Sequence, residues 1–203
     1  FALGVKNILA DDGLFIFEVS YLRDVLRKLT FDTIYHEHMS YHALKPLIYF
    51  FHKIDLSVVD FDLVEAQGGS IRVYVGHQGR KKNNKKIRRQ ILLENKNNLF
   101  SIQKYIDYAK KIKKQKEKIR ILIKKNIKNK KIFVGYGAPA KATTFCYVFN
   151  LSNKDIKYII DDNKLKQNKY TPGKKIKILN FKKLESLEFD YIIILAWNFA
   201  DPI

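Results

Sequence analysis

Residues 31–42 read Phe31-Asp32-Thr33-Ile34-Tyr35-His36-Glu37-His38-Met39-Ser40-Tyr41-His42, and hold three of the chain's five histidines. Two tyrosines, a glutamate and an aspartate stand between them. Imidazole, phenol and carboxylate groups in this density can take, give or orient a proton near neutral pH. Burying them unpaired costs a few kcal/mol each, so such a run belongs at a cleft or a metal rather than in a packed core. General acid–base chemistry is the expected use, with Glu37 and a tyrosine hydroxyl orienting an imidazole. A metal would need a third ligand, and none stands nearby at helical spacing. His52 and His77 are isolated and read as structural.

The second chemical stretch is Gly135-Tyr136-Gly137-Ala138-Pro139-Ala140-Lys141. It follows the apolar run Ile132-Phe133-Val134 and precedes a helical run from Thr143 to Phe149. A G-x-G-x-x-A turn between a strand and a helix fits a phosphate loop. The first glycine allows the turn, the second lets backbone approach a pyrophosphate, and the small third residue lets helix and strand pack closely. Asp161 closes the next strand, where an acid can bond a ribose hydroxyl. Lys141 is placed for a phosphate contact. A plain tight turn is the bland alternative.

The elements that must position these groups follow from periodicity. Residues 1–12 read as a short amphipathic helix, which suggests a chain starting partway through a longer protein, with no secretory leader. Leu14 to Val19 is an apolar run expected to be a strand buried on both faces of a parallel sheet. Helices are expected near 20–29 and 43–54. Leu56 to Ala66 alternates, with Val58, Phe61 and Leu63 set against Asp60, Asp62 and Glu65. Gly68-Gly69 is a turn, and Ile71 to Val75 the return strand. From Ile87 to Lys128 the pattern is helical, with a break at Asn95 to Asn98. Its expected apolar stripe is Leu99, Ile102, Ile106, Ala109 and Ile112, then Ile119, Leu122 and Ile123. Strands at 157–160 and 191–196 and a helix at 181–187 complete a second βαβ arrangement. Trp197 and Asn198 stand at a strand end, placed to line a cleft.

The formal charge is +19, with 39 Lys and Arg against 20 acids. Between Arg80 and Lys131 there are 21 Lys and Arg against three acids, so one segment carries nearly all the excess. A solvated basic face explains it, and nucleic acid is not an expected partner. Cys146 is the single cysteine, which rules out an internal disulfide and fits a reducing, cytoplasmic location. No apolar run approaches the ~18 residues of a membrane span, so no membrane partner is expected.

Four blocks together resemble one family. They are residues 31–41, then Gly68-Gly69-Ser70-Ile71-Arg72-Val73-Tyr74-Val75, then residues 135–141, and lastly Ile194-Leu195-Ala196-Trp197-Asn198. They resemble the S-adenosylmethionine-dependent sugar C-methyltransferases, which methylate carbon 3 of nucleotide-linked 4-keto-deoxyhexoses. The resemblance implies an α/β fold of three parts. Residues 1–79 would be the second half of a class I methyltransferase Rossmann-like sheet. Residues 80–130 would be a basic helical linker. Residues 131–203 would be a truncated Rossmann-like domain for the nucleotide sugar.

The resemblance further implies that His38 is the base, with Tyr35 and Glu37 in the same site. Gly135, Gly137, Lys141 and Asp161 would serve the sugar nucleotide. The loop that holds S-adenosylmethionine would lie before Phe1, so no cofactor-binding residue is expected here and the chain alone is expected to be inactive. Zinc is implied only for a four-cysteine module further upstream. Gln67 stands where the family carries His. Two other functions compete. One is an NAD(P)-dependent oxidoreductase using the Gly135 loop. The other is a nucleic-acid-binding module using the basic helices, with binding that weakens steeply with salt.

Overall fold

A computed structural model describes residues 1–200. The protein is mixed α/β, and its chain divides into two compact units. One comprises Phe1–Thr30 and Ser40–Tyr108, the other Phe31–Met39 and Ala109 onward.

The first unit is built on a three-stranded sheet in the order β1-β3-β2. β1 is Phe15–Ser20, β2 Leu56–Val64 and β3 Ser70–His77, with β3 antiparallel to both neighbours. β1 and β2 therefore run the same way. Ile71, Val73 and Val75 of β3 are wholly buried, as every second residue of a central strand should be. Helices α1 (Ala2–Ile8), α2 (Leu22–Lys28), α3 (Leu44–His52) and α4 (Asn84–Lys96) complete the unit. Leu26, Leu44, Leu47 and Phe51 share its core with Val58 and Phe61. Each such side chain contributes about 1.5–3 kcal/mol on burial.

Two expectations change here. β1 is not sheltered on both faces. Phe15, Phe17 and Val19 turn toward the core, whereas Ile16 on the other face is 51% exposed. Its bonded neighbour is the antiparallel β3, not a parallel strand. A continuous apolar run records composition and does not reveal which of its faces is covered. In β2, Val58 and Phe61 both reach the core although three positions separate them. A bulge at Val59, between the pairs Val58↔Val75 and Asp60↔Tyr74, resets the alternation. Leu63 shares the face of Phe61 and pairs with Ile71, yet is 46% exposed near the end of the strand.

α5 (Ile102–Lys128) begins in the first unit and ends in the second. Its inward residues are Tyr105 and Tyr108 in the first unit, then Ile119, Ile123 and Ile127 in the second. Ile102 and Leu122, expected in the stripe, are exposed.

The second unit holds a four-stranded, all-parallel sheet in the order β6-β5-β4-β7. The strands are β4 (Phe133–Tyr136), β5 (Tyr158–Ile160), β6 (Lys177–Leu179) and β7 (Tyr191–Ile194), with α6 (Ala140–Val148) linking β4 to β5. β6 escapes periodicity because it is three residues long and lies among lysines. Phe181–Ser186 is a 3-10 turn rather than an α-helix. Phe133, Cys146, Phe149, Ile156, Ile159 and Leu195 form the core. The chain steps from β4 outward to β5 and β6, then returns to the far side of β4 as β7. The order thus reverses between β4 and β7, and ligands of open α/β sheets bind beyond the carboxyl ends of the strands at such a point.

Candidate active site

The glycine loop leaves the carboxyl end of β4 at that reversal. A Cβ on Gly135 would stand 2.9 Å from both Ile159 Cγ1 and Leu195 Cδ1, so the flanking strands close only around glycine. Gly137 has φ +80, and a Cβ there would lie 2.6 Å from the Cβ of Ala196. Its N–H donates to the Ile160 carbonyl at 2.7 Å. Pro139 then caps α6 in an extended conformation.

Asp161 stands where the strand pattern predicts, just past β5, but its carboxylate serves the loop itself. Oδ2 accepts the Ala138 amide at 2.6 Å, and Oδ1 accepts the Asn163 amide at 2.8 Å. The Lys166 ammonium lies 3.5 Å from Oδ2. The carboxylate expected to grip a ribose therefore braces the turn.

Lys141, in the first turn of α6, is only 5% exposed. Its Nζ donates to Asn198 Oδ1 at 3.2 Å and lies 4.7 Å from the centre of the Trp197 ring. Trp197 Nε1–H in turn donates to Asp32 Oδ2 at 2.5 Å. Asp32 is 4% exposed. Burial pushes its carboxyl above the usual range, opposed by the Trp197 bond and by the charge of Lys141. Burial pushes Lys141 down, opposed by Asp32. A carboxylate and an ammonium thus share one indole, and the ammonium expected to reach a phosphate faces inward.

The Trp197–Asp32 bond holds the start of the histidine segment within the second unit. Phe31 stacks on Phe145 and meets Phe149 edge-on, with ring centres 6.5 and 5.3 Å apart. Thr144 Oγ1 donates to the Ile34 carbonyl at 2.9 Å. From this anchored turn Tyr35 and His38 project as a pair. The Tyr35 hydroxyl is 3.1 Å from His38 Nε2, and the rings lie 4.3 Å apart.

The structure thus joins Tyr35 to His38, and does not join Glu37 to it. Glu37 and His36 are exposed, and the Glu37 carboxylate faces His36 Nε2 at 3.9 Å. Neighbouring residues in a tight turn point apart, which separates Glu37 from the next ring. The twelve-residue cluster also divides at Met39. His42 belongs to the first unit, where Ser40 Oγ lies 2.9 Å from its Nε2 and burial lowers its pKa. Asp32 is the participant to which the sequence assigns no role, because its hydrogen-bond partner Trp197 is 165 positions away. Trp197 and Asn198 stand at the strand end expected of them, where they meet Asp32 and Lys141. Among the described residues no group of three or more His, Cys, Asp or Glu side chains is arranged to hold a metal ion. Among the same residues no helix is long and apolar enough to cross a membrane.

Fold and site together define a mixed α/β protein with a glycine loop at a strand-order reversal and a tyrosine–histidine pair anchored beside it. Residues 65–203 match the family model described as the C-methyltransferase C-terminal domain. The chain is also similar to C-methyltransferase NovU of Streptomyces niveus, at 33% identity over 201 residues. That match takes in 98% of this chain and 48% of NovU, so the chain spans about half the length of the curated relative it matches. The chain belongs to the C-methyltransferase family.

Proposed function

We propose that this chain is the substrate-activating part of a C-methyltransferase acting beside the ketone of a nucleotide-activated deoxysugar. Residues 1–79 are read as the closing half of a class I methyltransferase sheet, in keeping with the antiparallel β3 between β1 and β2. Residues 80–130 are the basic helical linker. Residues 131–203 are a Rossmann-like domain for the sugar nucleotide, to which residues 31–39 are lent. The observation that carries the reading is the Tyr35–His38 contact on a segment anchored beside the glycine loop.

In this reading the nucleotide lies along Gly135 to Lys141, at the reversal point between β4 and β7. Gly135 and Gly137 allow the approach, Asp161 holds the turn in shape, and Lys141 borders it from within. The ketone acidifies the hydrogen on the adjacent carbon. His38 accepts that proton as general base. The Tyr35 hydroxyl can donate to a neutral ring or accept from an imidazolium N–H, so the contact survives both protonation states. Glu37 presents an exposed carboxylate to the hydroxyls of the sugar. A positioned base is worth about 10²–10⁴ in rate.

S-adenosylmethionine would supply an electrophilic methyl group. The glycine turn of the first unit does not form a cradle for it. Gly68 and Gly69 close the β2–β3 hairpin, and a Cβ on Gly69 would strike Asp24 at 2.7 Å. No donor-holding role is assigned to these residues. An oxidoreductase is disfavoured, because the Asp161 oxygen nearest the loop is engaged by the Ala138 amide. The buried, single Cys146 suits a cytoplasmic enzyme.

The test is His38→Ala in the full-length enzyme. Turnover should fall by ~10²–10⁴, while the KM for the sugar nucleotide changes little. Undiminished turnover would remove His38 from the mechanism.

A further inference from the structure

The Trp197 indole joins Asp32 and Lys141, two residues that the sequence holds far apart. Asp32 opens the segment that ends in Tyr35 and His38. Lys141 closes the glycine loop. Both are almost fully buried, and both meet Trp197 at the carboxyl end of β7. We propose that Asp32, Lys141 and Trp197 are positioning residues, a strut that sets the His38 base at a fixed place relative to the nucleotide loop. The proposal rests on the function proposed above.

The 31–39 segment contains only a three-residue 3-10 turn, Phe31–Thr33, so it has little regular backbone bonding of its own. Its contacts with α6 and β7 include the Phe31 ring, which meets Phe145 and Phe149, the Thr144–Ile34 bond, and the Asp32–Trp197 bond. The first two bear on α6 and its C-cap. The third reaches the end of β7, where Trp197 also lies under the Lys141 ammonium that donates to Asn198. The two ends of the reversal point are therefore tied to the 31–39 segment through one indole. The opposite charges of Asp32 and Lys141 also offset each other's burial, so removing either leaves the other less compensated and the segment should loosen. A misplacement of about 1 Å at a reacting group can cost 10²-fold in rate. Lys141 and Asp32 both turn to Trp197 and are nearly fully buried, so the loss should appear in kcat before KM.

The test has two arms. In the first, hydrogen exchange is followed in this chain for the Ile34 and His38 amides, which donate to Phe31 and Tyr35. The β5 amides serve as the folding reference. Asp32→Asn and Lys141→Met should each speed exchange at residues 31–39 by about tenfold or more. The double variant should be no faster than the worse single one, and Lys141→Arg should restore most of the protection. Unchanged exchange at 31–39 with β5 still protected would overturn the proposal. Should Lys141→Met lose β5 protection, Trp197→Phe carries the same test, since it keeps an aromatic ring but removes the N–H donated to Asp32.

In the second arm the full-length enzyme is assayed. The same variants should lower kcat by about tenfold or more, with KM for the sugar nucleotide within about threefold of the parent. A rise in KM alone, or a loosened segment with unaltered kcat, would overturn the positioning role. A parent enzyme with no methyl transfer would instead refute the proposed function, and the exchange arm would still decide the strut.

Discussion

Glu94 and Tyr21 stand 73 residues apart in the chain and meet in a fully buried hydrogen bond, with the Tyr21 hydroxyl 2.8 Å from Glu94 Oε1. The same carboxylate accepts the amides of Leu44 and Lys45 at 2.7 and 3.0 Å. Ala43, which precedes α3, has no side chain able to cap it, so a residue of α4 caps α3 instead. Gln90 Nε2 donates to the Tyr21 oxygen and completes the network.

Glu94→Ala should therefore be among the most destabilising single substitutions in the first unit. It strands a hydroxyl and two helix-end amides out of water, a loss of about 3–5 kcal/mol. Glu94→Gln keeps one acceptor and should lose less than half as much. Urea midpoints at constant m would measure both, and equal midpoints for Glu94→Ala and the parent would contradict the assignment.

Alkaline pH should weaken the fold in a residue-specific way. Burial pushes the Cys146 thiol up to about 11. In the unfolded chain the thiol ionises near pH ~8.5–9, so the unfolded state loses its proton first. Stability is complete below that pH and falls by about 2–3 kcal/mol as the pH climbs toward ~11. Burial and the neighbouring Glu94 charge raise the Tyr21 phenol as well, which adds a further loss above pH ~10. Unfolding free energies across this range should slope less steeply in Cys146→Ala. An unaltered slope would show that the thiol titrates alike in both states.

Two glycines with positive φ should respond differently to alanine. Gly79 has φ +92 and open space around its Cβ position, so Gly79→Ala should lose only about 1 kcal/mol. Gly137 combines its φ of +80 with a 2.6 Å encounter with Ala196. Gly137→Ala should lose about 3 kcal/mol or more. Thermal midpoints of the two variants should differ by several degrees, and coincident midpoints would argue that the loop relaxes freely.

Within the histidine segment, Tyr35→Phe removes the hydroxyl that holds the His38 ring. Turnover of the full-length enzyme should drop by about tenfold. His36 is exposed and meets Glu37 only at 3.9 Å, so His36→Ala should stay within about twofold of the parent. Steady-state rates with saturating substrates would distinguish the two. A larger effect of His36→Ala would transfer the proton-handling role to that ring.

Much of the fold could be read from period alone. The alternation of Ile71, Val73 and Val75 announced the central strand, and the break at Asn95 to Asn98 separated α4 from α5. Period failed where a local irregularity or a distant partner decided. The Val59 bulge moved β2 out of phase, and nothing in composition marks such an insertion. In the site, the Tyr35–His38 pair and both loop glycines were legible because neighbouring residues carry them. The partners of Lys141 and Asp161 were not. A lysine after a glycine loop looks the same in sequence whether it faces a ligand or Trp197 and Asn198. Asp161 occupied its expected strand end and yet spent its oxygens on the turn.

Residues 31–39 lie between α2 and α3 in sequence and pack with β4 to β7 in space. A chimaera spliced from two relatives at one junction, anywhere between α3 and α5, would thus pair the histidine motif of one parent with the ledge of another. The grafted Asp32 would have to find a foreign lysine and indole. Recombination within this family should accordingly tolerate exchange of the whole block from Phe31 onward, and select against crossovers that fall between residues 31–39 and their seat.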